Sequence, residues 1–202
     1  MEKIMFRLLS VLGLMLALML PAQAEEVHPQ KVVKSVSDIV LAEILANKEK
    51  LDQGPEFLLS LVETRMLPII DQERMSQLAL GKYWAEINDQ QRSDFAEGFK
   101  RLLIKTYAGA FKAYTGQDVT YGETRFNKSG DKAIVSSDIH VAGGSPVNLQ
   151  YRLYQPKPGQ WLVYDATIAG LGLIRTYRAQ FSDQIERDGI DKTISQLQSV
   201  QL

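Results

Sequence analysis

Between residues 119 and 168 short alternating runs are divided by strong turn signals, and that rhythm confines the chain to folds containing an antiparallel sheet. The runs 119–126, 132–141, 147–155 and 160–168 are separated by Asn127-Lys-Ser-Gly-Asp131, Gly143-Gly-Ser-Pro146 and Pro156-Lys-Pro-Gly159. Gaps this short leave no room for a crossover helix, so consecutive strands pair as a meander. Val147, Leu149, Tyr151 and Leu153 fall on one face of the third run. In the fourth, strict alternation sets Trp161, Val163 and Asp165 on one face and Leu162, Tyr164 and Ala166 on the other.

Helical patterns lie on either side of these strands. Val33, Val36, Val40 and Ile44 share one face of a helix over 29–51, ended by Gly54-Pro55. A second helix over 56–66 stops ahead of Pro68, and 69–87 holds one or two more. Asn88 and Gln91 form a capping box. The helix they open carries Phe95, Phe99, Leu102, Leu103, Tyr107, Phe111 and Tyr114 and runs to Gly116. Beyond the strands, Gly170 and Gly172 switch the chain into a helix over 171–187, with Ile174, Tyr177, Phe181 and Ile185 on one face. Gly189 then divides off a last helix over 190–200. Helices segregated before and after a four-strand antiparallel meander define the α+β class.

The N-terminus reads as an export signal. Lys3 and Arg7 precede the apolar run 8–20, Pro21 breaks it, and Ala22-Gln23-Ala24 has the small-x-small form of a cleavage site. A run of 13 residues falls short of the about 20 that span a bilayer. The expectation is cleavage after Ala24 and a single exported domain over 25–202, with no later run of membrane length. That segment contains 21 basic and 23 acidic residues. With no basic excess to neutralise phosphates, nucleic acid is not an expected partner. The lack of cysteine excludes disulfides and thiolate metal sites, and no histidine or carboxylate spacing suggests a metal or cofactor site.

Two segments are more particular than periodicity requires. Trp161-Leu-Val-Tyr-Asp165, Gly170-Leu-Gly-Leu173 and Tyr177-Arg-Ala-Gln-Phe181 closely resemble the Trp-x-Val-Tyr-Asp, Gly-x-Ser-Leu and Tyr-Arg-x-Gln-Phe elements of the MlaC (toluene-tolerance) family. Pro68, Asp71, Met75 and Leu80-Gly-Lys-Tyr-Trp84 resemble that family's Pro-x-x-Asp-x-x-x-Met and Leu-Gly-x-Tyr-Trp, and the likeness continues through Gln91-Arg92, Phe95, Phe99 and Thr106-Tyr107. Gly172 stands where the family has serine; if that serine caps the helix, this chain must cap it otherwise, and glycine is an acceptable N-cap.

The resemblance implies a periplasmic carrier of glycerophospholipid between the two membranes of a Gram-negative cell, maintaining outer-membrane lipid asymmetry. It implies an outer-membrane lipoprotein–porin complex and an inner-membrane ABC transporter with a periplasmic lipid-binding ring as partners, with only transient membrane contact. It also implies an apolar lipid cleft between helices and sheet and no catalytic residues. The apolar positions that would line such a cleft are Leu67, Ile70, Met75, Leu102, Leu103, Tyr107, Tyr151, Val163, Ile168, Leu171, Ile174 and Tyr177. Each of them could equally fill a packed core, because periodicity cannot separate lining from filling.

Arg175 and Arg178 flank the stripe of their helix and could meet a lipid phosphate or a carboxylate. Catalytic alternatives reduce to His140 with Asp138 two residues away on the same face, and Tyr164-Asp165 as an acid–base pair; His28 falls in a terminus expected to fray. An exported adaptor without lipid would share the leader and the α+β pattern.

Overall fold

The computed structural model describes residues 27–202, so the expected leader and its cleavage site lie outside the described residues. The first helix, α1 (Pro29–Ala46), starts on proline, whose missing N–H costs nothing at that position. His28 caps it: the imidazole accepts from the Gln30 N–H at 3.3 Å, and its ring meets Phe126 edge to face. This residue is therefore part of the helix start and not of a frayed end. Asn47 leaves helical geometry and separates α1 from α2 (Lys48–Gln53), which sequence periodicity reads as one helix.

After α3 (Glu56–Leu61) the helix widens into a π turn, Val62–Met66, and tightens into a 3₁₀ turn, Leu67–Ile69. Pro68 withholds a backbone donor there, so the regular ladder cannot continue. Helix α4 (Gln72–Leu80) is capped by Asp71, which accepts from the Arg74 N–H at 2.9 Å. A 3₁₀ segment, Gly81–Glu86, leads to the 25-residue α5 (Asp89–Ala113), where both halves of the Asn88–Gln91 capping box are formed.

The sheet has six strands where sequence reasoning expects four, all antiparallel: β1 (Val119–Tyr121), β2 (Arg125–Phe126), β3 (Lys132–Ile139), β4 (Val147–Lys157), β5 (Gln160–Ile168) and β6 (Leu171–Gly172). The extra two arise at the ends. Gly122 and the two residues after it interrupt the first expected strand, whose halves β1 and β2 both pair with β3. Turning at Ala169 and Gly170, both at positive φ, the chain lays β6 against β5. The order is β1-β3-β4-β5-β6.

Helices α6 (Leu173–Asp188) and α7 (Ile190–Gln198) close the chain, divided at Gly189, whose φ of 85° suits glycine. Phe95 and Phe99 of α5 meet Phe181 edge to face at centroid distances of 5.1 and 5.5 Å, and Phe99 meets Tyr177 at 5.1 Å. These rings weld α5 to α6. Gly98 lets α7 approach α5 more closely still, because a Cβ there would lie 2.8 Å from the Leu197 Cβ and 2.9 Å from its carbonyl carbon.

Buried side chains form three separate cores. The first joins α4, α5, α6 and α7 around Phe95, Phe99, Ile174 and Phe181. The second joins α1, α2, α3 and the π turn to α5 around Ile44, Leu58, Leu61 and Ile104. The third sets Val33 of α1 on Ala133, Val135, Leu153, Trp161 and Val163 of the sheet.

Gly98→Ala tests the α5–α7 contact. Alanine favours an unobstructed helix by about 1 kcal/mol over glycine. Overpacking against the Leu197 backbone should outweigh this, for a net loss of about 1–3 kcal/mol and a melting temperature several degrees lower by circular dichroism. A raised melting temperature would mean that the two helices stand farther apart.

A candidate apolar cleft between α5 and the sheet

Strand pairing places Ala133, Val135 and Ser137 of β3 on the same face as Leu153, Tyr151 and Leu149 of β4. Across to β5 that face continues through Val163, Ala166 and Ile168, opposite Leu153, Tyr151 and Leu149. The opposite face carries Ser136, Asp138, Gln150, Arg152 and Thr167, a polar set suited to solvent. Only part of the inner face is covered. Ala133, Val135, Leu153, Trp161 and Val163 are buried, whereas Leu149, Tyr151, Ala166 and Ile168 remain half-buried. The reason lies in the helices: α1, α4 and α6 pack against strands, but α5 makes no extended contact with any of them. Leu102, Leu103 and Tyr107 of α5 pack at the margin of the first core and are themselves half-buried.

The twelve apolar positions singled out from sequence divide by burial. Leu67, Ile70, Leu102, Leu103, Tyr107, Tyr151 and Ile168 are half-buried at the core margins, with Ile70 touching both the first core and the third. Met75, Val163, Ile174 and Tyr177 are buried within the cores themselves. Leu171 is 70% exposed: the bend at Ala169 and Gly170 carries it out to the sheet edge, away from any interior. Leu149 and Ala166 belong with the half-buried set but were not anticipated, although the alternation of the third run already marks Leu149.

Polar groups near this margin are few. Burial pushes the Tyr151 phenol above its ordinary range, and hydrogen-bonding contacts with Ser137 and Ser37 only partly oppose this. The Tyr107 phenol is also raised by burial. Both stay neutral at physiological pH and bring no charge to the apolar surface.

A β-bulge overturns the expected alternation of β5. The register shifts between Arg152 and Leu153, so Arg152 opposes Asp165 while Leu153 opposes Val163. Tyr164 and Asp165 thus both leave the inner face, and Ala166 and Ile168 return to it. Tyr164 stacks edge to face on Tyr154. Asp165 accepts from the Ala166 N–H at 2.8 Å and from the Ile174 N–H at 3.2 Å, and its other oxygen lies 3.5 Å from the Arg152 guanidinium. Ile174 is the second residue of α6, whose N-cap Gly172 has no side chain to offer. A carboxylate from the strand supplies the missing helix cap.

The other catalytic candidates are likewise occupied. Thr120 Oγ1 lies 2.8 Å from His140 Nε2, whereas Asp138 accepts from Asn148 at 2.8 Å, so histidine and aspartate hold different partners. Arg178 donates from Nε to the Leu78 carbonyl at 2.6 Å, and Arg175 is exposed. Among the described residues no three histidines or carboxylates are grouped to hold a metal, and no helix is long and apolar enough to cross a membrane.

These features define an α+β protein with half-buried apolar side chains on both the long helix α5 and the inner face of β4 and β5. The chain belongs to the MlaC family: the family model described as MlaC protein matches residues 34–199. It is 25% identical over 177 residues to the intermembrane phospholipid transport system binding protein MlaC of Haemophilus influenzae, covering 86% of this chain and 82% of that one. It is 28% identical over 169 residues to a toluene tolerance protein of Pseudomonas putida, covering 82% and 78%. A phospholipid-binding protein of Ralstonia solanacearum, solved in complex with a phospholipid, superposes with a TM-score of 0.76 at 34% identity, covering 85% of this chain and 99% of that one.

Asp165→Ala should destabilise the protein by about 0.5–2 kcal/mol, the usual value of a helix cap, as measured by urea unfolding. Asp165→Asn retains an acceptor oxygen and should lie between alanine and the native residue. Equal stability of all three would remove Asp165 from the capping role.

Proposed function

We propose that this protein is a periplasmic phospholipid carrier whose acyl-chain site lies between α5 and the inner face of β4 and β5. The observation that carries the reading is the partly covered half of that face, where Leu149, Tyr151, Ala166 and Ile168 stay half-buried while α5 makes no extended contact with any strand. Leu67, Ile70, Leu102, Leu103 and Tyr107 complete the lining, and the buried Met75, Val163, Ile174 and Tyr177 back it. The family membership and the phospholipid in the Ralstonia solanacearum relative support the same assignment.

The energetics of carriage explain why the site is apolar and polar groups sparse. Two acyl chains of about 16 carbons leave water with a gain of roughly 25 kcal/mol, at about 0.8 kcal/mol per methylene. A carrier must come close to that shelter to draw lipid from a bilayer and must not greatly exceed it, or the lipid stays bound. Neutral phenols and aliphatic side chains meet both demands. The protein hydrolyses nothing in this scheme. It exchanges lipid with an outer-membrane lipoprotein–porin complex at one membrane and with an ABC transporter bearing a periplasmic lipid-binding ring at the other, and ATP use resides in the transporter. The export signal over residues 1–24 and a single domain over 25–202 complete the proposal.

Native mass spectrometry of the mature protein purified without detergent tests it. A stoichiometric glycerophospholipid adduct is expected; a clean apo mass from folded periplasmic material would favour an adaptor. Leu103→Asp should lower lipid occupancy with the fold preserved, and Leu171→Asp should change neither. Ile174→Asp buries an unpaired carboxylate in the first core and should impair folding itself. Full occupancy in Leu103→Asp would place the acyl chains elsewhere.

A further inference from the structure

The inner face of the sheet changes character from one edge to the other. Strand register sets Tyr121 of β1 directly opposite Ser137 of β3, Ser137 opposite Leu149 of β4, and Leu149 opposite Ile168 of β5. One cross-strand row therefore runs from two hydroxyls to two aliphatic side chains. The neighbouring row, Val135, Tyr151 and Ala166, adds a third hydroxyl on the same face. Helix α1 packs on β3 and brings Ser37 to the same place, where its hydroxyl meets both phenols. Ser137 is 1% exposed, whereas Ser37, Tyr121 and Tyr151 are half-buried.

The four hydroxyls are linked to one another: Tyr121 with Ser37, Ser37 with Tyr151, and Tyr151 with Ser137. Each contact uses one O–H donor, so three contacts consume three of the four protons. The fourth needs an acceptor outside the group, because a buried hydroxyl left unmatched is costly. Other helical hydroxyls turn back to the carbonyl four residues earlier, as those of Thr64, Ser76 and Thr106 do, whereas Ser37 faces the phenols. An uncharged acceptor suits this chemistry. Burial raises the Tyr121 and Tyr151 phenols above their ordinary range, so both stay protonated donors at physiological pH. Lys34, 5.7 Å from the Tyr121 ring centroid, is paired with Asp38 at 2.6 Å, so the cation beside the group arrives with its own anion.

We propose that these hydroxyls receive the glycerol-ester carbonyls of the bound lipid, with Ser37 and Tyr121 donating and the acyl chains running from there along Leu149 and Ile168. The inference rests on the carrier reading and adds a direction to it: the ester end of the lipid lies beside α1 and β1, and the hydrocarbon extends toward β5. Ester carbonyls are neutral acceptors shared by diacyl lipids of every headgroup, so contact with them orients the lipid without selecting its headgroup. Such bonds replace those the carbonyls make with water at a bilayer surface. They add only modestly to affinity, and release is not impeded.

The test exposes the mature protein to vesicles holding equal amounts of dioleoyl phosphatidylglycerol and its di-O-octadecenyl ether analogue, and reads the bound lipid by native mass spectrometry. The two lipids share headgroup, phosphate and hydrocarbon and differ only at the ester carbonyls. The native protein should take up the diester about tenfold over the diether, and Tyr121→Phe or Ser37→Ala should each reduce that preference about fivefold. Melting curves verify folding, and Ser37→Ala decides the matter alone if Tyr121→Phe is unstable. Equal uptake of both lipids by the native protein, or a preference that neither variant reduces, would overturn the proposal and leave carriage standing. Variants that take up less of both lipids at an unchanged ratio would move the contact to the phosphate and overturn it as well. A bare protein mass after exposure would remove the carrier reading, and this inference with it.

Discussion

The packing of Phe95 and Phe99 on Tyr177 and Phe181 decides where α5 lies, and the position of α5 decides whether the sheet is covered. One flank of this 25-residue helix is committed to α6 and α7, and another carries Ile104 into the second core, so α5 packs on helices at both sides. The apolar surface therefore does not condense into one interior. It is distributed among three cores, each filled where elements touch, with half-buried aliphatic and tyrosine side chains at the margins between them. A packed domain of this length would ordinarily eliminate such margins, because every uncovered methylene forfeits about 0.8 kcal/mol.

The segments that carry the family resemblance mostly build this frame. The Leu-Gly-x-Tyr-Trp turn meets the Tyr-Arg-x-Gln-Phe helix through the Tyr83–Glu186 contact, and the end of α4 just before it does so through the Arg178–Leu78 hydrogen bond. Asp165 of the Trp-x-Val-Tyr-Asp strand caps the helix that follows. Fold and family were thus easier to read than the site. Frame residues are constrained by specific partners, which leaves a recognisable order of residue types along the chain.

The limits of the sequence reading have identifiable physical causes. The capping box at Asn88, the pleat of 147–155 and the break at Gly189 were legible because each depends on local chemistry alone. The bulge at Tyr164 was not, since nothing in a Val-Tyr-Asp run announces an extra residue, and the misplaced face of Asp165 followed from it. The start of α6 was misplaced for a related reason: helical periodicity was extended two residues, over Leu171 and Gly172, which belong to the sheet edge as β6. Separating Leu103, at a margin, from Ile174, in a core, needed the distance between α5 and the strands, which no spacing along the chain encodes.

The division into three cores also has a mechanical meaning. The second core holds α2 and α3 against the C-terminal half of α1, and its buried link to α5 is Ile104, reinforced where Lys100 pairs with Glu63 at 3.0 Å. Asn47 lies inside this block, where α1 gives way to α2, and the π and 3₁₀ turns follow α3 at its far end. Helix α1 runs unbroken from Val33 on the sheet to Ile44 in this block, so the second and third cores share one rigid rod and a displacement of either is carried to the other.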